Sequence, residues 1–310
     1  MNWILNILGA NSAVPTRNRF PSGQVLDLGG TSLLIDCGEG SQLRMLEQRI
    51  KKTRISYVLI SHLHGDHIYG LPGLLTSYNL FSRTLPLCIV GPVGIKRFVD
   101  NTIGITGHEL SYPVEIIEID GTTKELVLDK DTFKVYSFPL EHRIPTYGYQ
   151  IVEKMNRVYL DKEKIAKYKL TDSKIKSLLD GETIKVNGVN WDLSFFERTR
   201  TPISYSYVSD TKYFSQCGEY IEKSTALYHE STFLEKDKAL ATERYHSTAK
   251  EAATCAMNGQ VGGLILGHFS SRYKTLESFR SEAEVIFKDV FLASNGKSFL
   301  IFDDGRISEV

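Results

Sequence analysis

Apolar and polar residues alternate in short runs through the first half of the chain, and turn residues rather than helical stretches separate most of the runs. Trp3 to Leu8, Gln24 to Leu28, Ser32 to Ile35, Tyr57 to Ser61, Leu87 to Val90, Val114 to Ile119, Phe133 to Phe138 and Tyr147 to Val152 predict strands of a mixed or antiparallel sheet. Helical spacing predicts helices over Gln42 to Lys52, Leu71 to Phe81 and Ile95 to Thr102. Beyond residue 200 strands and helices alternate. The strands are Ile203 to Ser209, Thr225 to Tyr228, Gly262 to Leu266 and Ser298 to Phe302, and the helices Thr248 to Met257 and Leu276 to Phe287.

One segment departs from this α/β order. From Glu153 to Asp180 there are eight Lys/Arg and five Asp/Glu, with Met155, Val158, Leu160, Ile165, Leu170, Ile175 and Leu178 spaced compatibly with short helices. It reads as an excursion from the sheet core, either an amphipathic filler between strands or a projecting element.

Composition narrows the choice of partner and compartment. Lys+Arg equals Asp+Glu at 37 each, so a polyanionic partner needs a local basic surface rather than the field of the whole molecule. Cys37, Cys88, Cys217 and Cys255 are far apart and form no CxxC pair, which argues against a disulfide framework or a structural zinc site and makes a cytoplasmic location the expectation. No apolar run approaches bilayer length, so no membrane association is expected.

The densest chemistry lies in Ile60-Ser61-His62-Leu63-His64-Gly65-Asp66-His67, directly after an apolar strand. Alternation puts His62 and His64 on one side of an extended chain, while Asp66 and His67 come from the turn that Gly65 tightens. Four imidazole and carboxylate donors in six residues are a metal-binding pattern, and their crowding suggests two ions. Further donors close other strands: Glu141-His142, Ser209-Asp210 and Gly267-His268. Asp210 is a natural bridging carboxylate. Thr248-x-x-Glu251 has the form of a capping box, which explains Ser247 or Thr248 but leaves His246 free. A carboxylate at Glu230 would keep His246 protonated as a general acid.

These motifs resemble the metallo-β-lactamase superfamily and, within it, the ribonuclease Z family. The resemblance runs nearly end to end: Asp36-Cys37-Gly38-Glu39-Gly40-Ser41-Gln42, the HLHGDH segment, Gly91-Pro92-x-Gly94, His142, Ser209-Asp210-Thr211, His229-Glu230-x-Thr232-Phe233, His246-Ser247-Thr248-Ala249 and His268-Phe269-Ser270-Ser271-Arg272-Tyr273. It implies an αββα four-layer sandwich in a single domain, residues 1–310, with an inserted tRNA-binding arm at 153–200. It implies two Zn2+ per subunit, one on His62, His64 and His142, the other on Asp66, His67 and His268, with Asp210 bridging. Asp66, His246 and Glu230 become the catalytic residues. Precursor tRNA is the implied substrate and a homodimer the implied assembly; DNA is not expected.

Arg17, Arg19, Ser270, Arg272, Tyr273, Lys174 and Lys176 are the expected substrate contacts. Phe20 stands where the family has Asn, and the arm lacks the family's Gly-Pro pair, reading Leu170-Thr171-Asp172-Ser173 instead. A small-molecule phosphodiesterase or other ester hydrolase of the same fold, with the arm folded over the cleft, is the alternative. A metal-free binding homologue is a third reading, which the intact ligand set disfavours.

Overall fold

The computed structural model describes every residue except Met1, Thr106, His108, Asn156, Arg157 and Thr199, so Arg157 of the basic segment lies outside the described residues. The strands are β1 (Trp3–Gly9), β2 (Gly23–Asp27), β3 (Ser32–Cys37), β4 (Ile55–Leu59), β5 (Leu87–Pro92), β6 (Val114–Ile119), β7 (Glu125–Asp129), β8 (Phe133–Pro139) and β9 (Tyr147–Glu153), followed by β10 (Ile184–Val186), β11 (Val189–Trp191), β12 (Ser204–Val208), β13 (Ala226–Glu230), β14 (Leu264–Gly267), β15 (Val290–Leu292), β16 (Ser298–Ile301) and β17 (Ile307–Glu309). The helices are α1 (Ser41–Glu47), α2 (Gly65–Ile68), α3 (Leu71–Leu80), α4 (Ile95–Ile105), α5 (Lys162–Lys167), α6 (Asp172–Leu179), α7 (Leu193–Phe196), α8 (Cys217–Tyr220), α9 (Lys238–Arg244), α10 (Ala249–Asn258) and α11 (Glu277–Glu284).

Two mixed sheets stack face to face. One runs β17-β16-β1-β2-β3-β4-β5-β6 and the other β15-β14-β13-β12-β9-β8-β7. Strand alternation then fills three layers of core. Leu33, Ile35, Leu59, Val90, Tyr205, Tyr207, Tyr228 and Ile265 meet between the sheets. Their neighbours Leu34, Val58 and Ile89 face outward to α1, α3 and α4, and Val208, Leu227, Leu264 and Leu266 face α8, α10 and α11. Strands apolar on both faces can only be covered from both sides, which gives helix, sheet, sheet, helix.

The first expected helix is shorter than its pattern. α1 stops at Glu47 because Arg49 takes a left-handed backbone (φ 56°), with Ile50 N–H bonding Met45 O at 2.9 Å and Arg49 N–H bonding Leu46 O at 3.1 Å. A side chain other than Gly at that position hides the stop from the sequence.

Residues 153–200 leave the sandwich and build a core of their own. Leu178, Ile184, Val186 and Phe196 are buried there, with Ile165, Tyr168, Trp191 and Phe195 against them. α5 and α6 are the short helices that the spacing suggested. The β10–β11 hairpin was overlooked, although Asn187-Gly188 between Val186 and Val189 is a strong hairpin signal; both residues have positive φ (51° and 83°). At the base, Arg200 forms a bidentate pair with Glu153 (2.7 and 3.0 Å) and lies 3.9 Å from the Tyr159 ring centroid.

Candidate functional site

The site opens at one edge of the sandwich, where strands of both sheets end. β4 delivers His62 and His64, and α2 carries Asp66 and His67. His142 follows β8, Asp210 follows β12, Glu230 ends β13 and His268 follows β14. Crevices at the carboxyl ends of parallel strands are where α/β sheets collect ligands. Gly38 lets the loop after β3 pass under this turn, since a Cβ there would come within 2.3 Å of Asp66 O. Gly65 has no positive φ. Its small size instead admits the Tyr69 ring, 2.2 Å from where a Cβ would stand.

The donors converge in two groups. In the first, His62 Nε2 lies 3.0 Å from His64 Nδ1, which lies 3.4 Å from His142 Nε2. In the second, Asp66 Oδ2 is 3.5 Å from His67 Nε2 and 3.6 Å from His268 Nε2. Asp210 faces both groups. Its Oδ1 is 3.4 Å from His67 Nε2 and 3.2 Å from His268 Nε2, and its Oδ2 is 3.7 Å from His62 Nε2. Tetrahedral zinc with bonds of about 2.0–2.1 Å sets donors about 3.3–3.4 Å apart, and the separations here, 3.0 to 3.7 Å, bracket that spacing.

Hydrogen bonds on the far side of the His62, His67, His142 and His268 rings turn their lone pairs inward. His67 Nδ1 donates to Asp36 Oδ2 at 2.7 Å, and that oxygen also accepts from Ser61 Oγ at 2.8 Å and Tyr207 Oη at 2.6 Å. His142 Nδ1 donates to Tyr245 O at 3.0 Å. The Thr232 hydroxyl donates to Glu230 Oε2 and accepts from His268 Nδ1 at 2.9 Å. His67 Nε2, His268 Nε2 and Asp210 Oδ1 are thereby left buried without a hydrogen-bond partner. Buried polar atoms are expensive in that state, and a cation between them removes the cost.

Electrostatics agree. Burial, reinforced for His62 by neighbouring imidazoles, holds His62, His64 and His142 below the ordinary histidine value, in the neutral form that binds metal. Burial disfavours charge on Asp66 and Asp210 too. Neighbouring histidines outweigh it, His67 foremost for Asp66 and His268 for Asp210, and keep both well below the carboxylate range. His67 is disfavoured as a cation by burial but raised well above its usual value by Asp210, Asp66 and Asp36. Three carboxylates demand positive charge in this space, and a divalent ion on Nε2 would supply it in place of the proton. The residues fit a dinuclear metal centre.

His246 stands at the same cleft with Nδ1 2.9 Å from Glu230 Oε1. Thr248 and Glu251 form the full capping box of α10, so the cap and the histidine are separate features. Asp36 and Thr232, quoted as motif residues, emerge as the groups that orient His67 and His268; a buried carboxylate at the end of β3 was the available signal. Ala13 was missed, although its N–H donates to Asp66 Oδ2 at 2.8 Å.

The expected substrate contacts divide. Arg17 is exposed and Ser270 half-buried near the site. Arg19 turns inward to Tyr273 O (2.6 Å) and Lys274 O (3.2 Å). Tyr273 Oη is bonded to Asp237, and Arg272 is 3.8 Å from the same carboxylate and stacks over Phe233. Phe20 packs on Gly40 and under the Arg44 guanidinium. Lys174 and Lys176 lie on α6, with Lys174 Nζ 3.4 Å from Lys185 O. The cleft holds about 810 Å3, and among the described residues none of 153–200 lines it.

A family model described as anti-Pycsar protein Apyc1 matches residues 4–92. Over 292 residues the chain is 38% identical to ribonuclease Z of Porphyromonas gingivalis (strain ATCC BAA-308 / W83), covering 94% of this chain and 96% of that protein. Ribonuclease Z of Cytophaga hutchinsonii is 38% identical over 313 residues, covering 99% and 98%. The crystal structure of human tRNase Z, short form, superposes with a TM-score of 0.73 at 26% identity, covering 96% of this chain and 99% of that one. The metallo-β-lactamase fold protein YhfI from Bacillus subtilis, at 20% identity, superposes with a TM-score of 0.69 over 97% of this chain and all (100%) of that one, and shares the fold.

Proposed function

We propose that this chain, which belongs to the ribonuclease Z family, works as a dinuclear zinc enzyme that removes the 3′ trailer from precursor tRNA and leaves a tRNA 3′-OH and a trailer 5′-phosphate. The tRNA 3′-processing endoribonuclease activity follows from the family. The observation that carries it is Asp210, a buried carboxylate with one oxygen toward each donor group.

His62, His64 and His142 would hold one zinc, Asp66, His67 and His268 the other, and Asp210 both. When bound, the pair would supply Lewis-acid stabilisation of the phosphodiester and activation of the attacking water. Asp66, whose carboxylate accepts from Ala13 N–H, would take up that water's proton. Burial opposes charge on His246, but Glu230, with Asp210 and Asp66 behind it, raises it to about 9. At neutral pH it is therefore a cation whose free Nε2–H can protonate the departing ribose 3′-oxygen.

The segment 153–200 is proposed as the arm that holds tRNA within a single domain. Its separate core and its absence from the cleft lining support this over a lid above a small-molecule site. The same placement supports a homodimer in which each arm serves its partner's cleft. A precursor-tRNA transcript tested beside bis(p-nitrophenyl) phosphate checks the reading: efficient, position-specific 3′ cleavage supports it, and turnover of the small ester alone overturns it.

A further inference from the structure

We propose that Cys217, His229 and Cys255 form a second metal site, separate from the cleft, for a thiophilic divalent ion such as Zn2+. The three donor atoms lie within 4.8 Å of one another, and each residue is only 1% exposed. They come from three elements that the sequence does not connect: the start of α8, the outward face of β13 and the buried face of α10. Alternation along β13 sends Tyr228 to the inter-sheet core and Leu227 to the outer layer, so His229 points away from the catalytic edge, into the layer that holds both cysteines.

The geometry prepares the imidazole as a ligand. His229 Nδ1 donates to Glu230 O at 2.6 Å, which leaves the Nε2 lone pair as the donor that meets the two cysteine sulfurs. Two thiolates and an imidazole select zinc-like ions over magnesium or calcium. Binding exchanges two thiol protons for one divalent ion, so the buried cluster keeps zero net charge, whereas a monovalent soft ion would leave an uncompensated negative charge in an apolar layer. A filled site would pin α8 and α10 to β13 directly behind Glu230. The scattered cysteine spacing, which argued against structural zinc, is overridden because sheet and helix packing bring residues 217 and 255 together.

Thiolate absorption tests this without interference, since the cleft offers only nitrogen and oxygen donors and Cys37 and Cys88 sit in other core layers. The full-length protein, stripped with chelator, is titrated with Cd2+ and separately with Co2+. The expected result is a thiolate-to-metal charge-transfer band whose final amplitude corresponds to one ion per chain beyond those taken up by the cleft, and which persists in Asp210→Ala and disappears in Cys255→Ala. Wild type and Asp210→Ala keep the cluster intact, so the outcome does not depend on the cysteine variant folding. Absence of the band while the cleft fills, or isolation of the two cysteines as a disulfide from native protein, overturns the proposal.

Discussion

His246 Nδ1 lies 2.9 Å from Glu230 Oε1, and the same buried carboxylate accepts four further hydrogen bonds, from Thr211 N, Ser247 N, Thr232 N and Thr232 Oγ1. One side chain thus orients the general acid, holds His268 through Thr232 and ties the end of β13 to the loops after β12 and before α10. Glu230→Gln is expected to lower turnover and also to destabilise the fold by about 3 kcal/mol, because one charged and four neutral donors then face an amide that accepts at only one of its two end atoms. A variant with wild-type melting temperature would contradict the hub.

His246→Ala separates chemistry from metal binding. Turnover of precursor tRNA should fall by about 10²- to 10⁴-fold with zinc content unchanged, while melting temperature falls because buried Glu230 loses its charged partner. Loss of metal would make His246 a ligand, and a stability loss without a rate effect would make it part of the helix cap.

The pH dependence has a defined sign. His246 is raised from its unfolded value to about 9. The stability of the His246–Glu230 pair is therefore fully present below about pH 6.5 and is lost as pH rises through about 9. Turnover should lose its acid over the same upper limb, and Glu230→Gln should move that limb toward lower pH. An unmoved limb in the pH–rate profile would assign it to another group.

Asp210→Ala removes the carboxylate that the two donor groups share, and elemental analysis should show depletion of both cleft ions with activity abolished. Native zinc content at the cleft would exclude the bridging role.

The arm is tested by charge reversal rather than deletion, since Leu178 is fully buried in its core and a shortened α6 would unfold it. Lys174→Glu with Lys176→Glu should weaken precursor-tRNA binding and reduce the slope of log K against log[salt] by about 0.7–0.9 per lost phosphate contact. Hydrolysis of bis(p-nitrophenyl) phosphate should be unchanged. An unaltered slope would leave the arm without a part in tRNA binding.

Arg17 and Arg19 should behave differently despite their proximity. Arg19→Ala loses two backbone carbonyl contacts and should lower melting temperature, while Arg17→Ala should leave it unchanged and affect only substrate binding. Equal melting temperatures would show that the Arg19 contacts are not maintained in solution.

What the sequence determined by itself was local. Alternating apolar positions specify strands buried on both faces, and such strands need helices on both outer sides. Four donors within His62 to His67 mark a metal site because side chains confined to six consecutive residues cannot avoid one another. Thr248 and Glu251 specify their cap for the same reason. Tertiary structure decided everything that depends on strand order. It chose which distant strand ends share an edge, and so which histidines group around each oxygen of Asp210. It made Asp36 the orienting partner of His67 and turned Arg19 and Tyr273 toward protein rather than solvent. It also brought Cys217 to Cys255. None of these pairings has a sequence spacing to betray it: each is fixed by sheet register and helix packing, which sum many weak apolar contacts over the whole chain.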